Sequence, residues 1–191
     1  MEIVFIRHGQ PEWIRDGLNV ENPPLTELGH EQARAMARAL ASEDFDEVYA
    51  SPLLRARQTA APLFEALGRE EQIAPWLEEI RDPAWHGTPQ EKAQAAYDEL
   101  RARPVDDRWE GLHGGESIRE FTERIRAGGD DFFADRGMQR STHDLPIWQI
   151  HEPGRRIALV AHAGTNSVSI AHLLGMQPTP WEWDRFVIGH T

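Results

Sequence analysis

Two runs of apolar residues in this chain show no alternation with polar ones. They lie within residues 2–6 and 156–161, each of which begins with a charged residue, and the first is rich in β-branched side chains. Strands buried on both faces have this pattern, and such strands are typical of the centre of a parallel sheet. Residues 45–50 predict a further strand, and shorter strands are expected over 76–80 and 183–188.

Apolar residues that recur every three or four positions predict helices between these strands. Thr26 is the expected cap of the first helix, which carries Leu28, Met36 and Leu40 on its inward face. Ser51 followed by a proline predicts the start of a second helix, which ends near residue 67.

Ser117 and Glu120 have the spacing of a capping box, in which the side chain of each residue bonds to the backbone of the other. The helix that follows places Phe121, Ile125 and Phe132 inward. Further helices are predicted over 88–103 and 163–174.

Strands that alternate with helices predict an α/β fold, a single-domain three-layer sandwich with a mostly parallel central sheet and helices on both faces. One domain is expected over residues 1–191, because neither a linker nor an internal repeat interrupts the chain. The segment 137–154 has no clear period and contains two prolines, which predicts an insertion or a long loop.

The composition excludes several classes of function. The chain has no cysteine, which rules out disulfides, thiolate metal sites and a cysteine nucleophile. Its net charge of −12, from 32 acidic against 20 basic residues, would repel nucleic acid and anionic lipid. No apolar run reaches the roughly 18 residues of a membrane span, and the first residues lack a signal-peptide pattern. We therefore expect a cytoplasmic protein without nucleic-acid or membrane partners.

Chemically active side chains follow three of the predicted strands. Arg7 and His8 come directly after the first, Ser51 leads to Arg55 after the second, and His162 ends the last buried strand. The carboxyl ends of parallel strands meet at one edge of a sheet, where ligands of such folds bind. An acidic chain that gathers arginines at one edge is expected to hold an anion there.

Short motifs occur in a fixed order between residue 2 and about residue 175. They are Phe5-Ile6-Arg7-His8-Gly9-Gln10, Pro24-Leu25-Thr26-Glu27-Leu28-Gly29, Ser51-Pro52-Leu53-Leu54-Arg55-Ala56, Glu79-Ile80 with Trp85-His86-Gly87, Gly114-Gly115-Glu116-Ser117, and Val160-Ala161-His162-Ala163-Gly164. The Arg-His-Gly tripeptide is common by chance, whereas the ordered set is not. The set resembles the histidine phosphatase superfamily, the phosphoglycerate-mutase-like proteins.

The resemblance implies that His8 attacks phosphorus and becomes a phosphohistidine, with His162 as a second catalytic and phosphate-binding histidine. Arg7 and Arg55 would neutralise the phosphoryl oxygens, and Glu79 would act as general acid and base. The chemistry of the residues agrees, because a neutral imidazole is a nucleophile near pH 7 and guanidinium groups match the geometry of phosphate. A protonated His162 would add a donor and a positive charge.

Two of these positions have neighbouring competitors. Arg57 lies about 200° around the helix from Arg55, so both arginines cannot face one site, and the motif selects Arg55. Glu78 adjoins Glu79, and the spacing to Trp85 favours Glu79.

Two departures from the family pattern leave roles open. Relatives often place an asparagine after the first histidine loop to contact phosphate, and here Gln10 or Asn19 would replace it. The glutamate that is common after Trp85 is His86 in this chain. No histidine pair has the spacing of a metal-binding motif, so we expect neither a metal site nor a cofactor.

We expect a phosphomonoester hydrolase of the histidine acid phosphatase type, acting on a small phosphoester. The alternatives are a cofactor-dependent phosphoglycerate mutase, which in this family is generally longer, and a non-catalytic phosphate-binding module, which would usually lose the nucleophile. Trp13, Trp85 and Trp109 either pack in the core or line the mouth of the site and favour an aromatic phosphoester. The sequence leaves the substrate and the oligomeric state open, a homodimer included.

Overall fold

The computed structural model describes residues 1–141 and 147–191. Its strands are β1 (Glu2–Arg7), β2 (Ile14–Arg15), β3 (Leu18–Asn19), β4 (Glu47–Ala50), β5 (Met138–Arg140), β6 (Trp148–Ile150) and β7 (Arg156–Ala161). Its helices are α1 (Glu27–Leu40), α2 (Leu54–Ala66), α3 (Gln90–Ala102), α4 (Ile118–Ala134), α5 (Ala163–Leu173) and α6 (Glu182–Arg185). Short 3₁₀ turns lie at Pro75–Leu77 and Val105–Glu110.

A parallel sheet forms the centre of the molecule, with β7 between β1 and β4. Arg7 of β1 is paired with Ala161, and Ala50 of β4 is paired with Val160. The strands therefore end at one edge, which brings together the residues that follow them. The pairs β2–β3 and β5–β6 form separate antiparallel hairpins.

Helices cover both faces of this sheet, because alternate residues of β7 point to opposite sides. Ala158 and Val160 pack with α1 and α2. Ile157 and Leu159 pack with α4 and with the turn at Pro75–Leu77. The predicted α/β three-layer sandwich with a mostly parallel sheet is confirmed.

The inward face of α1 differs in one position from the prediction. The buried residues of this helix include Gly29, Ala33 and Met36, and Leu28 lies about 100° around the helix from Gly29. Leu28 is accordingly 49% exposed. The predicted cap is present, since Thr26 Oγ1 accepts a hydrogen bond from the Gly29 N–H at 3.0 Å.

The start of α2 corrects a second prediction. Ser51 does not cap this helix, which begins after Leu53. The Leu54 N–H, which has no partner within the helix, donates to Asn22 Oδ1 at 2.8 Å. A side chain from the loop before α1 thus satisfies a helix-terminal donor that no local residue reaches. The capping box predicted for α4 is confirmed.

Two short strands predicted from the sequence are wrong. Over 76–80, the preceding Pro75 starts a 3₁₀ turn, and a proline supplies no N–H to a sheet. Over 183–188, the chain forms the end of α6 and then irregular backbone. Trp183 packs there on Trp181, with 4.6 Å between ring centroids, rather than on a sheet edge.

The segment 137–154 contains the β5–β6 hairpin, which packs against α4. Trp148 Nε1 fastens it to α5 by donating to the carbonyl oxygen of Leu173 at 2.8 Å. Residues 142–146 of the predicted loop lie outside the described residues. None of the helices in the described ranges is long and apolar enough to cross a membrane.

Candidate active site

His8 follows β1 directly and is 4% exposed. Its Nδ1 lies 2.7 Å from the carbonyl oxygen of Gly9, which can only accept, so Nδ1 carries the ring proton and donates it. The other nitrogen, Nε2, accepts a hydrogen bond from Arg55 Nε–H at 3.3 Å. The ring is therefore held as the tautomer whose lone pair is on Nε2.

The electrostatic surroundings keep this ring neutral. The pKa of His8 is lowered from 6.5 to about 3, chiefly because burial penalises the charged ring. The positive charge of Arg55 lowers it further. At any pH above that value the lone pair on Nε2 is free of a proton.

Arg55 lies in the first turn of α2 and is 4% exposed. The ring of Trp13 covers its guanidinium group at 4.7 Å. Burial lowers the pKa of Arg55 to about 10, so the group stays positive near neutral pH. Arg57 points away, pairs with Glu71 at 2.7 Å and is 47% exposed.

Arg7 is the last residue of β1 and lies at the same edge of the sheet as His8 and Arg55. Its Nη1 donates to the carbonyl oxygen of Ile188 at 2.7 Å, and its own carbonyl oxygen accepts from the Thr191 hydroxyl. Its Nε is buried without a hydrogen-bond partner in residues 1–141 and 147–191. Burial lowers the pKa of Arg7. An unsatisfied buried donor is costly, and an anion at this edge would satisfy it.

The His162 ring is fully buried and packs edge-on against the His8 ring, with 5.1 Å between the ring centroids. Its Nε2 is 2.7 Å from Ser51 Oγ, and its Nδ1 has no partner in the described part of the chain. Burial and the nearby Arg55 hold the pKa of His162 well below its usual value. The ring is thus neutral rather than a source of positive charge. Ser51 Oγ can either donate to Nε2 or accept from it, and Nδ1 is a free donor in the tautomer in which Ser51 donates.

Glu79 is held at the N-terminus of α5. Its Oε2 accepts from the Gly164 N–H at 2.9 Å, and its Oε1 accepts from the Ile80 N–H at 3.0 Å. Burial nevertheless raises the pKa of the Glu79 carboxyl group, and it outweighs both hydrogen bonds. The neighbouring Glu78 pairs instead with Arg81 at 2.6 Å.

Gly164 is required by this contact. A Cβ atom at that position would lie 2.6 Å from Glu79 Oε1, closer than two atoms can approach without a bond. Alanine favours a helix over glycine by about 1 kcal/mol, so the substitution would help α5 if the neighbour were absent.

We expect Gly164→Ala to displace the Glu79 carboxyl group and to lower kcat by roughly ten- to a hundredfold. Gly154→Ala is the matched control, because an added Cβ there meets open space. Steady-state kinetics and thermal unfolding of both variants provide the measurement. A Gly164→Ala protein with unchanged kcat would show that the position of Glu79 does not matter to the reaction.

A cavity of about 210 Å³ opens onto these groups. Arg7, His8, Arg55 and Glu79 all line it, so the structure brings these predicted site residues together, with His162 behind the ring of His8. No group of three or more metal-ligating side chains occurs among the described residues.

Gln10 is not brought to the cavity. Its Oε1 accepts from the Thr26 hydroxyl at 2.9 Å, and its backbone oxygen accepts from the Thr26 N–H. The side chain thus supports the start of α1 instead of facing His8. The alternative, Asn19, donates from Nδ2 to the carbonyl oxygens of Thr88 and Pro89.

The tryptophans divide between the two predicted alternatives. Trp13 lines the cavity, and Trp85 lines an adjoining cavity that shares Trp13, Arg55 and Glu79 with it. Trp109 lines neither cavity and packs in an apolar cluster with Leu100, Leu112 and Ile118. Trp181 and Trp183 line the far end of the first of these cavities.

Several other residues of the site carry no sequence signal of their role. Ser51 is hydrogen-bonded to His162, whereas its Ser-Pro pattern predicts a helix cap. His190 reaches His8 from the far end of the chain, with 5.5 Å between ring centroids. The Gly164 N–H that holds Glu79 likewise carried no signal in the sequence.

Fold and site together define an α/β protein with a neutral histidine and buried arginines at the carboxyl edge of its sheet. Residues 3–191 match the histidine phosphatase superfamily (branch 1). The chain belongs to this family, as its motifs predict.

Known proteins with similar sequences include phosphatases. A glucosyl-3-phosphoglycerate phosphatase of Mycolicibacterium vanbaalenii is 32% identical over 187 residues, covering 94% of this chain and 76% of the relative. Phosphoserine phosphatase 1 of Hydrogenobacter thermophilus is 30% identical over 129 residues, covering 66% of this chain and 61% of the relative. The match thus spans less than two thirds of that enzyme. Phosphoglycerate mutases are also among the similar proteins.

Solved structures of the family have the same fold. The α-ribazole phosphatase of Shigella flexneri aligns with a TM-score of 0.71 and 26% identity, covering 96% of this chain and 84% of that one.

Proposed function

We propose that this protein is a phosphomonoester hydrolase that works through a phosphohistidine on His8. The observation that carries the proposal is the fixed tautomer of that ring, with Nδ1 donating to Gly9 and the lone pair of Nε2 beside Arg55. A neutral, oriented imidazole next to a buried cation is what in-line attack on a phosphate ester requires.

In the first step, His8 Nε2 attacks phosphorus and the bond between phosphorus and the ester oxygen breaks. Arg7 and Arg55 bind the phosphoryl oxygens, whose charge spreads in the transition state. His162 donates from Nδ1 to one of these oxygens. The Glu79 carboxyl group gives its proton to the departing alkoxide, so the alcohol leaves neutral.

In the second step, the Glu79 carboxylate takes a proton from water, and the oxygen of that water attacks phosphorus. The bond between phosphorus and nitrogen breaks, its electron pair returns to Nε2, and inorganic phosphate is released. Burial raises the pKa of Glu79 and so favours the acid form that protonates the departing alkoxide in the first step.

The placement of the segment 137–154 favours hydrolysis of the phosphohistidine over transfer of its phosphoryl group back to an alcohol. In its described part the β5–β6 hairpin packs on α4 and lines no side of the cavity. No described residue of this segment therefore covers the cavity that holds the phosphohistidine. Retention of His8, Arg7 and Arg55 around one cavity argues against a non-catalytic module.

The proposal is tested by trapping the intermediate. The protein is mixed with a ³²P-labelled phosphomonoester and quenched in base, because phosphohistidine survives base and is lost in acid. We expect base-stable, acid-labile label and release of inorganic phosphate. A mutase would instead interconvert phosphoglycerates after priming by 2,3-bisphosphoglycerate, and a binding module would show neither label nor turnover.

The pH profile provides an independent prediction. Because the pKa of His8 is about 3, the nucleophile is neutral above that value, and the rate of phosphohistidine formation should not fall between about pH 7 and pH 5 as it would for an ordinary histidine. Because the pKa of Glu79 is raised, its acid form is lost only as the pH rises past this raised pKa, and the rate of phosphohistidine formation should then decline. Glu79→Gln should remove the alkaline decline, and a tenfold acid-side loss in the rate of wild-type label formation would contradict the assignment of His8.

The histidine acid phosphatase type is a finer prediction, which a measured acid-side optimum would support. The acidic surface supports a small phosphoester rather than a nucleic acid as the partner, and a cytoplasmic location is part of the same proposal. The homodimer stays a prediction that sedimentation equilibrium would test.

A further inference from the structure

The cavity continues past the phosphate-binding groups into an apolar chamber. Its walls there are supplied by side chains from α3, the start of α4, the loop between them and α6. They are Leu100, Leu112, Ile118, Trp181 and Trp183. The three aliphatic residues are 2%, 8% and 2% exposed, so these walls are parts of the packed interior.

The size of the cavity limits what can occupy this chamber. The whole space, phosphate end included, is about 210 Å³, and a dry apolar cavity of about 150 Å³ holds a benzene molecule. A phosphoryl group and roughly one six-membered ring would fill it. A wider space of about 910 Å³ shares Arg7, Trp13 and Arg101 with this cavity, so the volume limits the group that enters the apolar chamber and not the size of the whole ligand.

Two arginines line the cavity besides Arg7 and Arg55, and each is paired with a carboxylate. Arg81 is paired with Glu78 at 2.6 Å, and Arg101 is paired with Asp98 at 3.3 Å. The carboxyl group of Asp82 accepts a hydrogen bond from Tyr97 at 2.6 Å and faces the same space.

A leaving alcohol that carries an acidic group would need a different arrangement of charges around this chamber. A carboxylate beside the ester would meet Asp82 and aliphatic side chains, and it would have to compete with Glu78 and Asp98 for the two arginines. Desolvating such a group without a partner is costly, whereas an apolar ring gains from being removed from water.

On the basis of the proposed phosphatase reaction, we infer that the leaving alcohol is uncharged and apolar, with about one ring, and that Trp183 is a specificity-determining residue. Removing the indole would open the chamber to water on the side of α6. Trp109 belongs to the same aromatic cluster but does not line the cavity, and it is therefore the matched control.

The test compares three primary alkyl phosphates, whose leaving groups have similar basicity: benzyl phosphate, ethyl phosphate and 3-phosphoglycerate. We expect kcat/KM for benzyl phosphate to exceed the other two by about tenfold or more. In Trp183→Ala and Trp183→Gln this preference should shrink to within about threefold, while Trp109→Ala keeps it. Thermal unfolding confirms that the variants compared are folded.

The outcomes separate the inference from the proposed function. Hydrolysis of all three esters at similar rates, or a preference for 3-phosphoglycerate, would overturn the apolar chamber and leave the phosphatase intact. Equal loss of preference in the Trp109 and Trp183 variants would mean that general packing, not contact with the alcohol, sets it. Failure of every ester to label or turn over would count against the phosphatase itself.

Discussion

His8→Asn is expected to lower kcat/KM by about 10³-fold or more, the scale of losing a covalent nucleophile. Asparagine can still bond to the Gly9 carbonyl oxygen, so the local structure keeps a polar partner there. It has no nitrogen lone pair that can attack phosphorus, and the intermediate therefore cannot form.

The measurement is the ³²P label on the protein together with release of inorganic phosphate. His151→Asn is the matched control, because His151 is an exposed histidine far from the cavity lining. Label that persists in His8→Asn, and remains labile in acid, would place the nucleophile on another histidine.

Arg55→Lys is expected to lower kcat by roughly 10² to 10³, comparable with removing a donor from an oxyanion site. Lysine keeps the positive charge but loses the planar fork that meets two phosphoryl oxygens at once. It also loses the Nε–H that points at His8 Nε2 and the flat surface that stacks under Trp13.

Arg57→Lys, two residues along the same helix, should behave like the wild type, since Arg57 is exposed and paired with Glu71. Steady-state kinetics on one small phosphoester compare the two substitutions. A larger loss in Arg57→Lys than in Arg55→Lys would mean that the other face of α2 meets the substrate.

The buried strand β7 and the choice of arginine were predictable from the sequence for a clear physical reason. β7 is an apolar run after its first residue, and it is the buried central strand that this pattern predicts. The same pattern predicted a central strand for β1, and this was wrong, because β1 lies at the edge of the three-stranded sheet with only Ile6 buried. Arg55 and Arg57 differ by more than half a turn of helix, so a motif that places one of them excludes the other.

The parts that sequence could not supply depend on contacts between distant segments. Ser51 carries the same Ser-Pro signal whether it caps α2 or bonds to His162, and only the packing of β4 beside β7 decides between them. Trp183 lies in a β-like run of residues but joins Trp181 in a helical turn. Gln10 has an amide group that could bond to phosphate, yet its side chain bonds to Thr26 at the start of α1.

Trp13 above Arg55 has a consequence for how the protein meets its ligand. Dissolved ions screen surface charges strongly and buried ones weakly. Added salt should therefore change little in how strongly the covered Arg55 guanidinium group binds an anion. The surface, with its net charge of −12, repels an approaching dianion at long range. Raising ionic strength should therefore speed the capture of anionic ligands, the reverse of its effect on proteins that attract them electrostatically.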